Sequence, residues 1–218
     1  NGRSGTQGPL GRDFTDRSIH RYRKYQGGRF APFPFFVMMV GHYPPHAGKC
    51  AMSRDITIDQ LIEKLGLQPH PEGGFYAETF RALETCNPGN RYLGVRSTGT
   101  AIYYLLTPDT FSGMHILTSD EIFHHYLGDP VEQLQLYADG SHRLVEIGND
   151  LLAGQKPQMI VPKNVWQGAR LKQGGKFALL GCTVAPGFDF ADFAMGKRAD
   201  LSSKWPAAAT MIAALTRD

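Results

Sequence analysis

The chain is poor in cysteine, and Cys50, Cys86 and Cys182 form no C-x-x-C pair and leave at least one thiol unmatched. An odd count at unrelated spacings argues against a disulfide framework or a thiolate zinc site and is expected of a reducing, cytoplasmic setting. There is no N-x-S/T sequon, so the mark of a glycosylated surface loop is missing. No apolar run approaches the roughly 20 residues that a membrane helix requires, and a membrane is not an expected partner. The chain also has no Walker-type loop, no G-x-G-x-x-G, no G-x-S-x-G elbow and no H-E-x-x-H pair. Nucleotide hydrolysis, Rossmann dehydrogenation and α/β-type serine hydrolysis therefore lose their sequence support.

Net charge is small, +3 over 218 residues, and unevenly placed. Residues 1–51 hold eight Lys/Arg against two Asp, whereas residues 52–218 hold fifteen against eighteen Asp/Glu. The basic excess thus lies in a segment without helix or strand periodicity, expected to be disordered, and nucleic acid is not an expected partner of the folded part. Two readings of this extension stay open. Its Arg-rich, acid-poor composition suits an organellar transit segment, while Met52, just before the first helix signal, suits a natural start with residues 1–51 as upstream material. Pro32 and Pro34 interrupt the apolar stretch that a signal peptide would need.

Residues 52–218 read as one domain, with Gly 25 and Pro 14 across the chain suiting a turn-rich β protein. Thr57 and Gln60 form a capping box, Ile58, Leu61, Ile62 and Leu65 form a helical stripe, and Gly66 followed by Pro69 ends it. From Phe75 the pattern changes to short runs of Tyr, Phe, Val, Ile and Thr divided by Gly, Pro, Asn and Asp. Strands are expected at 75–81, 101–106, 113–118, 121–127, 131–137, 143–147, 158–161, 166–171 and 177–184. Asp139-Gly140 predicts a type I′ hairpin turn, and a second short helix is expected over 207–215. The fold class is all-β with minor helices, a sandwich or barrel.

His115-x-Leu117-x3-Glu121-x6-Gly128 carries part of the first cupin motif, with leucine where a second histidine is usual. HPEGGFYAETFR (His70 to Arg81), TAIYYLL, SDEIFHHYLGDP and GCTVAPGFDFADF (Gly181 to Phe193) also resemble the type 5 branch of the cupin superfamily, a domain of unknown function. The resemblance implies a double-stranded β-helix, or jelly roll, assembled as a homodimer around a small-molecule pocket, similar in fold to nucleotide-sugar epimerases. Cupins that hold a divalent transition metal use two histidines and a glutamate from this motif and a histidine from a second. Here that second motif resembles Pro162-Lys163-Asn164-Val165-Trp166-Gln167, with Asn164 for glycine and Gln167 for the histidine. The metal set that remains is His115, Glu121 and Gln167, with one of His124 and His125 as substitute.

In a regular strand Glu121, Phe123 and His125 share one face and His124 takes the other, whereas the family pattern puts its histidine at 124. His115 as a base with Glu121 to orient it, and Tyr104, Tyr76 or Tyr126 as partner acid, would suit acid–base chemistry on a small polar ligand. Gln167, His124 and His125 are candidate ligand contacts, and Arg81, Arg96 and Lys163 are candidates to hold an anionic group. HPEGG reads as backbone punctuation with Glu72 near a pocket or interface, Phe188, Phe190 and Phe193 as an apolar lid pinned by Asp189 and Asp192, and Cys182 as a core thiol. Three functions follow: a ligand-binding cupin that isomerises or epimerises a sugar or nucleotide-sugar, a metal-dependent enzyme such as a dioxygenase, and a non-catalytic binding or storage-like module.

Overall fold

A computed structural model describes residues 56–217, and the readings of residues 1–51 lie outside them. Helix α1, Ile58–Leu65, starts where the capping box predicts: Gln60 N–H donates to Thr57 Oγ1 at 3.2 Å and Thr57 N–H to Gln60 Oε1 at 3.0 Å. Gly66, at φ 62, closes the helix in the left-handed conformation that glycine adopts without strain.

Thirteen strands follow among the described residues: β1 Gln68–Pro69, β2 Phe75–Arg81, β3 Thr85–Cys86, β4 Arg96–Ser97, β5 Thr100–Leu106, β6 Phe111–Leu117, β7 Asp120–Gly128, β8 Val131–Leu136, β9 His142–Ile147, β10 Gln158–Val161, β11 Trp166–Leu171, β12 Ala178–Ala185 and β13 Phe193–Met195. They form an antiparallel sheet of order β1-β2-β5-β12-β7-β10 and another of order β13-β6-β11-β8-β9, with β3-β4 as a separate ribbon. Two sheets with long crossovers between non-consecutive strands make the expected jelly roll.

Alternation along the strands sorts the side chains into layers. Tyr104, Leu106, Phe123, Leu180 and Cys182 turn inward to pack with Val131, Ile147, Met159 and Val161. Leu105 and Leu179 turn outward and are covered by Leu61 of α1 and by Leu67. The C-terminal helices, α2 Arg198–Lys204 and α3 Ala209–Ala214, bring Leu201, Trp205, Ile212 and Leu215 onto Met114, Leu134 and Leu136 of the second sheet. Apolar packing fills the half of the barrel around Leu106 and Ala178. The half around Thr100 and Val184 stays open.

Two local expectations are corrected. Among described non-glycine residues only Asn164 has positive φ, so Asp139-Gly140 is no type I′ turn. Gly140 N–H donates to the Tyr137 carbonyl and Tyr137 N–H to Ser141 O, a three-residue loop in which Gly140 alone takes φ 88. The expected helix over 207–215 begins as a 3-10 turn, Pro206–Ala208, because proline has no N–H to give and its fixed φ suits a helix start. Asn164, standing where the cupin pattern has glycine, takes φ 61 in the turn before β11, and asparagine tolerates that conformation better than most residues.

Candidate functional site

The open half of the barrel encloses about 450 Å³. His115 and Leu117 of β6, Glu121 of β7 and Cys182 of β12 line it from within the barrel, and Arg81, Glu78 and Asp189 also line it. His70 and Glu72 come from the turn before β2. His70 N–H donates to Gly74 O at 3.0 Å and Gly73 N–H to His70 O at 2.9 Å, with Gly73 at φ 114 and Gly74 at φ 70. The turn is tied to the barrel by Tyr104 Oη, which donates to Gly73 O at 2.8 Å, and by Gly113 N–H, which donates to Glu72 O at 2.9 Å. These ties place the Glu72 carboxylate 3.4 Å from His115 Nδ1, where Ser112 Oγ also donates to it at 2.8 Å.

His115 is buried, and its Nδ1 lies 2.8 Å from the Gly113 carbonyl. A carbonyl only accepts, so Nδ1 carries a hydrogen and Nε2 is the nitrogen that titrates. Burial alone would lower the pKa, but Glu72, Glu121 and the Gly113 carbonyl outweigh it and raise it to about 9. His115 is therefore an imidazolium at neutral pH, its Nε2 3.9 Å from Glu121 Oε2 and its ring against Phe193 with centroids 5.4 Å apart. A ring that already holds its proton acts as an acid or a hydrogen-bond donor.

His70 goes the other way. Burial lowers its pKa in spite of Glu72. Its Nδ1 accepts the Glu72 N–H at 3.2 Å, which leaves the hydrogen of the neutral ring on Nε2. Tyr76 meets this ring edge-on at 4.6 Å, and Phe188, Phe190 and Phe193 form an edge-to-face cluster with centroids 5.0 to 6.2 Å apart. Two imidazoles of opposite protonation thus flank one carboxylate beside an aromatic wall.

Behind Glu121 runs a chain of buried polar side chains. Tyr137 Oη donates to Gln135 Oε1 at 2.6 Å, Gln135 Nε2 to Gln133 Oε1 at 2.8 Å, Gln133 Nε2 to Gln167 Oε1 at 3.4 Å, and Gln167 Nε2 to Glu121 Oε2. The strands set this up, because Gln167 on β11 stands in register with His115 on β6 and with Gln135 on β8. Glu121 as a carboxylate can only accept, and that fixes the direction of every link.

The family model described as the cupin superfamily (DUF985) matches residues 59–196. The chain belongs to the cupin superfamily. It is similar to the uncharacterized protein YML079W of Saccharomyces cerevisiae, 32% identical over 155 residues, 66% of this chain and 77% of that one. Among solved structures it is similar to a hypothetical protein from Leishmania major (30% identity, TM-score 0.70, 75% of this chain, 100% of that one). Protein SO0799 from Shewanella oneidensis is another (33% identity, TM-score 0.68, 74% and 98%).

This cupin's residues do not fit the metal that other cupins hold. Leu117 offers no lone pair, Gln167 turns its amide hydrogens toward Glu121, and His115 has Nδ1 bound to Gly113 O, leaving Nε2 as its one free nitrogen. Neither histidine of the 124–125 pair lines the cavity. Among the described residues no group of three or more His, Cys, Asp or Glu is placed to hold an ion. His115, Glu121 and Gln167 therefore make a poor ligand set.

Several other candidates lie away from the cavity. Gln167 sits behind Glu121 as its support. Tyr104 does not line the space, and burial together with Glu72 pushes its phenol pKa well up and keeps it a donor to Gly73. His125 is buried on the Glu121 face of β7, as alternation predicts, but its Nε2 meets the Asp129 carbonyl at 3.1 Å. His124 is on the opposite face, with Nε2 2.9 Å from Thr183 Oγ1. Arg96 is no anion site at the mouth, because its guanidinium is spent on Asp192 at 2.7 and 2.9 Å, pinning the segment that carries Phe190 and Phe193. Lys163 is exposed and outside the lining. Cys182 does line the cavity, and burial with the nearby Glu121 and Glu72 keeps it a thiol.

His70 is the residue that sequence reasoning passed over, taken there as part of a structural turn. Glycines at 73 and 74 hint at a tight turn. Nothing in the spacing indicates that the turn folds back against a strand 45 residues later.

Proposed function

We propose that this cupin binds a small sugar-like molecule and isomerises or epimerises it by acid–base chemistry. The observation that carries the proposal is the placing of His115 Nε2 3.9 Å from Glu121 Oε2 in an aromatic-walled cavity of about 450 Å³, a volume suited to a small ligand. Glu121 takes a proton from the carbon next to a carbonyl. The electron pair of that C–H bond forms a carbon–carbon double bond, and the carbonyl π pair moves onto the oxygen, which takes the Nε2 proton of His115. For the isomer, Glu121 gives the proton to the former carbonyl carbon while the adjacent hydroxyl gives its own proton back to His115 and becomes the new carbonyl. For the epimer, a second donor such as Tyr76 protonates the first carbon from the opposite face, the oxygen returns its proton to His115, and Glu121 and Tyr76 reset by exchange with water. Atoms balance with no oxidant or co-reactant.

Incubation with a panel of aldoses and ketoses in D2O tests this, with loss of the ligand C–H signal followed by proton NMR. The parent exchanges at least one member, and Glu121→Gln or His115→Gln slows the exchange by about a hundredfold or more. Saturable binding of a sugar without exchange would instead leave a non-catalytic binding module.

The assembly belongs to the same proposal. Leu83 and Leu93, 95% and 82% exposed, stand with Phe80 at the end of β2 and around the β3–β4 ribbon. Large apolar side chains concentrated there support a homodimer, and light scattering at micromolar concentration is expected to give twice the chain mass. The free thiols Cys86 and Cys182 support a reducing, cytoplasmic location. Among the described residues no helix is long and apolar enough to cross a membrane.

A further inference from the structure

We infer that the ligand of this cavity is a small amine carrying a positive charge, of the amino-sugar kind, and that phosphates and carboxylates are turned away. The inference rests on the reading of the cavity as a small-molecule site and narrows its substrate class. Four carboxylates line the space, those of Glu72, Glu78, Glu121 and Asp189, against the guanidinium of Arg81 and the ring of His115. Two of the four are matched: Glu78 takes Arg81 in a fork at 2.9 and 2.7 Å, and Glu72 faces His115 Nδ1 at 3.4 Å.

The other two keep their charge for an incoming group. Glu121 takes the neutral amide of Gln167 and has its nearest cation, His115 Nε2, 3.9 Å away, beyond hydrogen-bonding distance. Asp189 accepts the Ala191 N–H at 2.8 Å and meets Arg81 and Arg96 through space without an ion-pair contact. Neutral His70 adds nothing to the positive side. The remaining candidate cations do not help an anion either, since Arg96 is locked to Asp192 and Lys163 lies outside. A concave, partly apolar wall concentrates such an imbalance on whatever enters.

The aromatic side of the cavity points to the same ligand. The faces of Phe and Tyr attract cations through their ring quadrupoles, and the imidazolium of His115 already lies against Phe193. Phe188, Phe190 and Tyr76 line the same cavity as Glu121 and Asp189. A nucleotide-linked sugar, by contrast, would bring a diphosphate into a space with an excess of two negative charges.

The test uses the full chain and follows the His115 ring signals by NMR below pH 7, where amines are protonated. Two matched sets are titrated in: glucosamine, glucose and glucose 6-phosphate, then benzylamine, benzyl alcohol and benzoate. In at least one set the amine is expected to half-saturate the shift at about a tenfold lower concentration than its neutral partner, with no saturable shift from the anion. Asp189→Asn is expected to shrink that advantage several-fold. An anion that binds tightest, amines that bind no better than their neutral partners, or no shift from either amine at tens of millimolar each overturns the inference. Amine preference without any deuterium exchange would sink the isomerase reading and leave the ligand class standing. Exchange on a phosphorylated sugar would do the reverse.

Discussion

Between pH 6.5 and about 9 the protein is expected to lose about 3 kcal/mol of stability on account of His115 alone. The folded-state pKa is raised above that of the unfolded chain, so the native state holds a proton that the unfolded state releases first. The stabilisation is complete below 6.5 and is lost as pH rises through about 9. His70 has the opposite sign: its lowered pKa gives stability that is present above 6.5 and lost as pH falls. Cys182 and Tyr104, both raised, add to the alkaline loss only above their ordinary values of 9 and 10.

Urea unfolding at pH 6.5 and 8.5 in the parent and in His115→Gln isolates the effect, because the variant lacks the His115 part of the slope. The ring itself can be followed by NMR. Glu72→Gln with Glu121→Gln leaves desolvation as the main influence and is expected to bring the titration below 6.5. A parent ring that titrates near 6.5 would falsify the imidazolium assignment.

The second large effect belongs to Gly73. A Cβ there would stand 2.1 Å from the Phe111 carbonyl oxygen, at φ 114, where side chains are strained whatever the space. Backbone on both sides is tied down, by Tyr104 through the Gly73 carbonyl and by Gly113 through Glu72 O. Gly73→Ala is accordingly expected to cost about 3 kcal/mol or more in urea unfolding. It should also pull Glu72 away from His115 and lower the His115 titration. Ala at Gly89, which also has positive φ, 95, but nothing within 4 Å, carries the backbone strain without the clash and serves as the comparison. Equal losses at the two positions would mean that the turn before β2 is not the rigid support described.

Sequence periodicity was a good guide wherever a strand alternates between barrel and solvent. The edges of β10 and β11 coincide with the apolar runs, and the inward face of Glu121, Phe123 and His125 follows from the two-residue repeat. It failed where an element is too short to show a period, as in β3, β4 and β13 of two or three residues. Helix α2 was also missed, because RADLSSK has one large apolar residue, Leu201, and Lys197 makes no side-chain cap. The site was harder to read than the fold. His115 and Glu121 are visible as a motif, but the charge of His115 depends on Glu72, which arrives through a turn distant in sequence. His125 turned inward as alternation requires, yet its ring meets a carbonyl at the far end of β7, and alternation says nothing about position along the strand axis.

The one-way run of donors from Tyr137 to Glu121 restricts how this interior can change over time. An apolar residue at Gln133 alone strands the amide hydrogens of Gln135 and the oxygen of Gln167, each at a cost of about 1–3 kcal/mol. Replacing all three glutamines together with aliphatic side chains of similar size removes those orphans and is far milder for folding, but Glu121 then stands without its amide partner. Lineages of this barrel are therefore expected to keep the trio whole or shed it in concert, and those that shed it must find another way to steady the carboxylate.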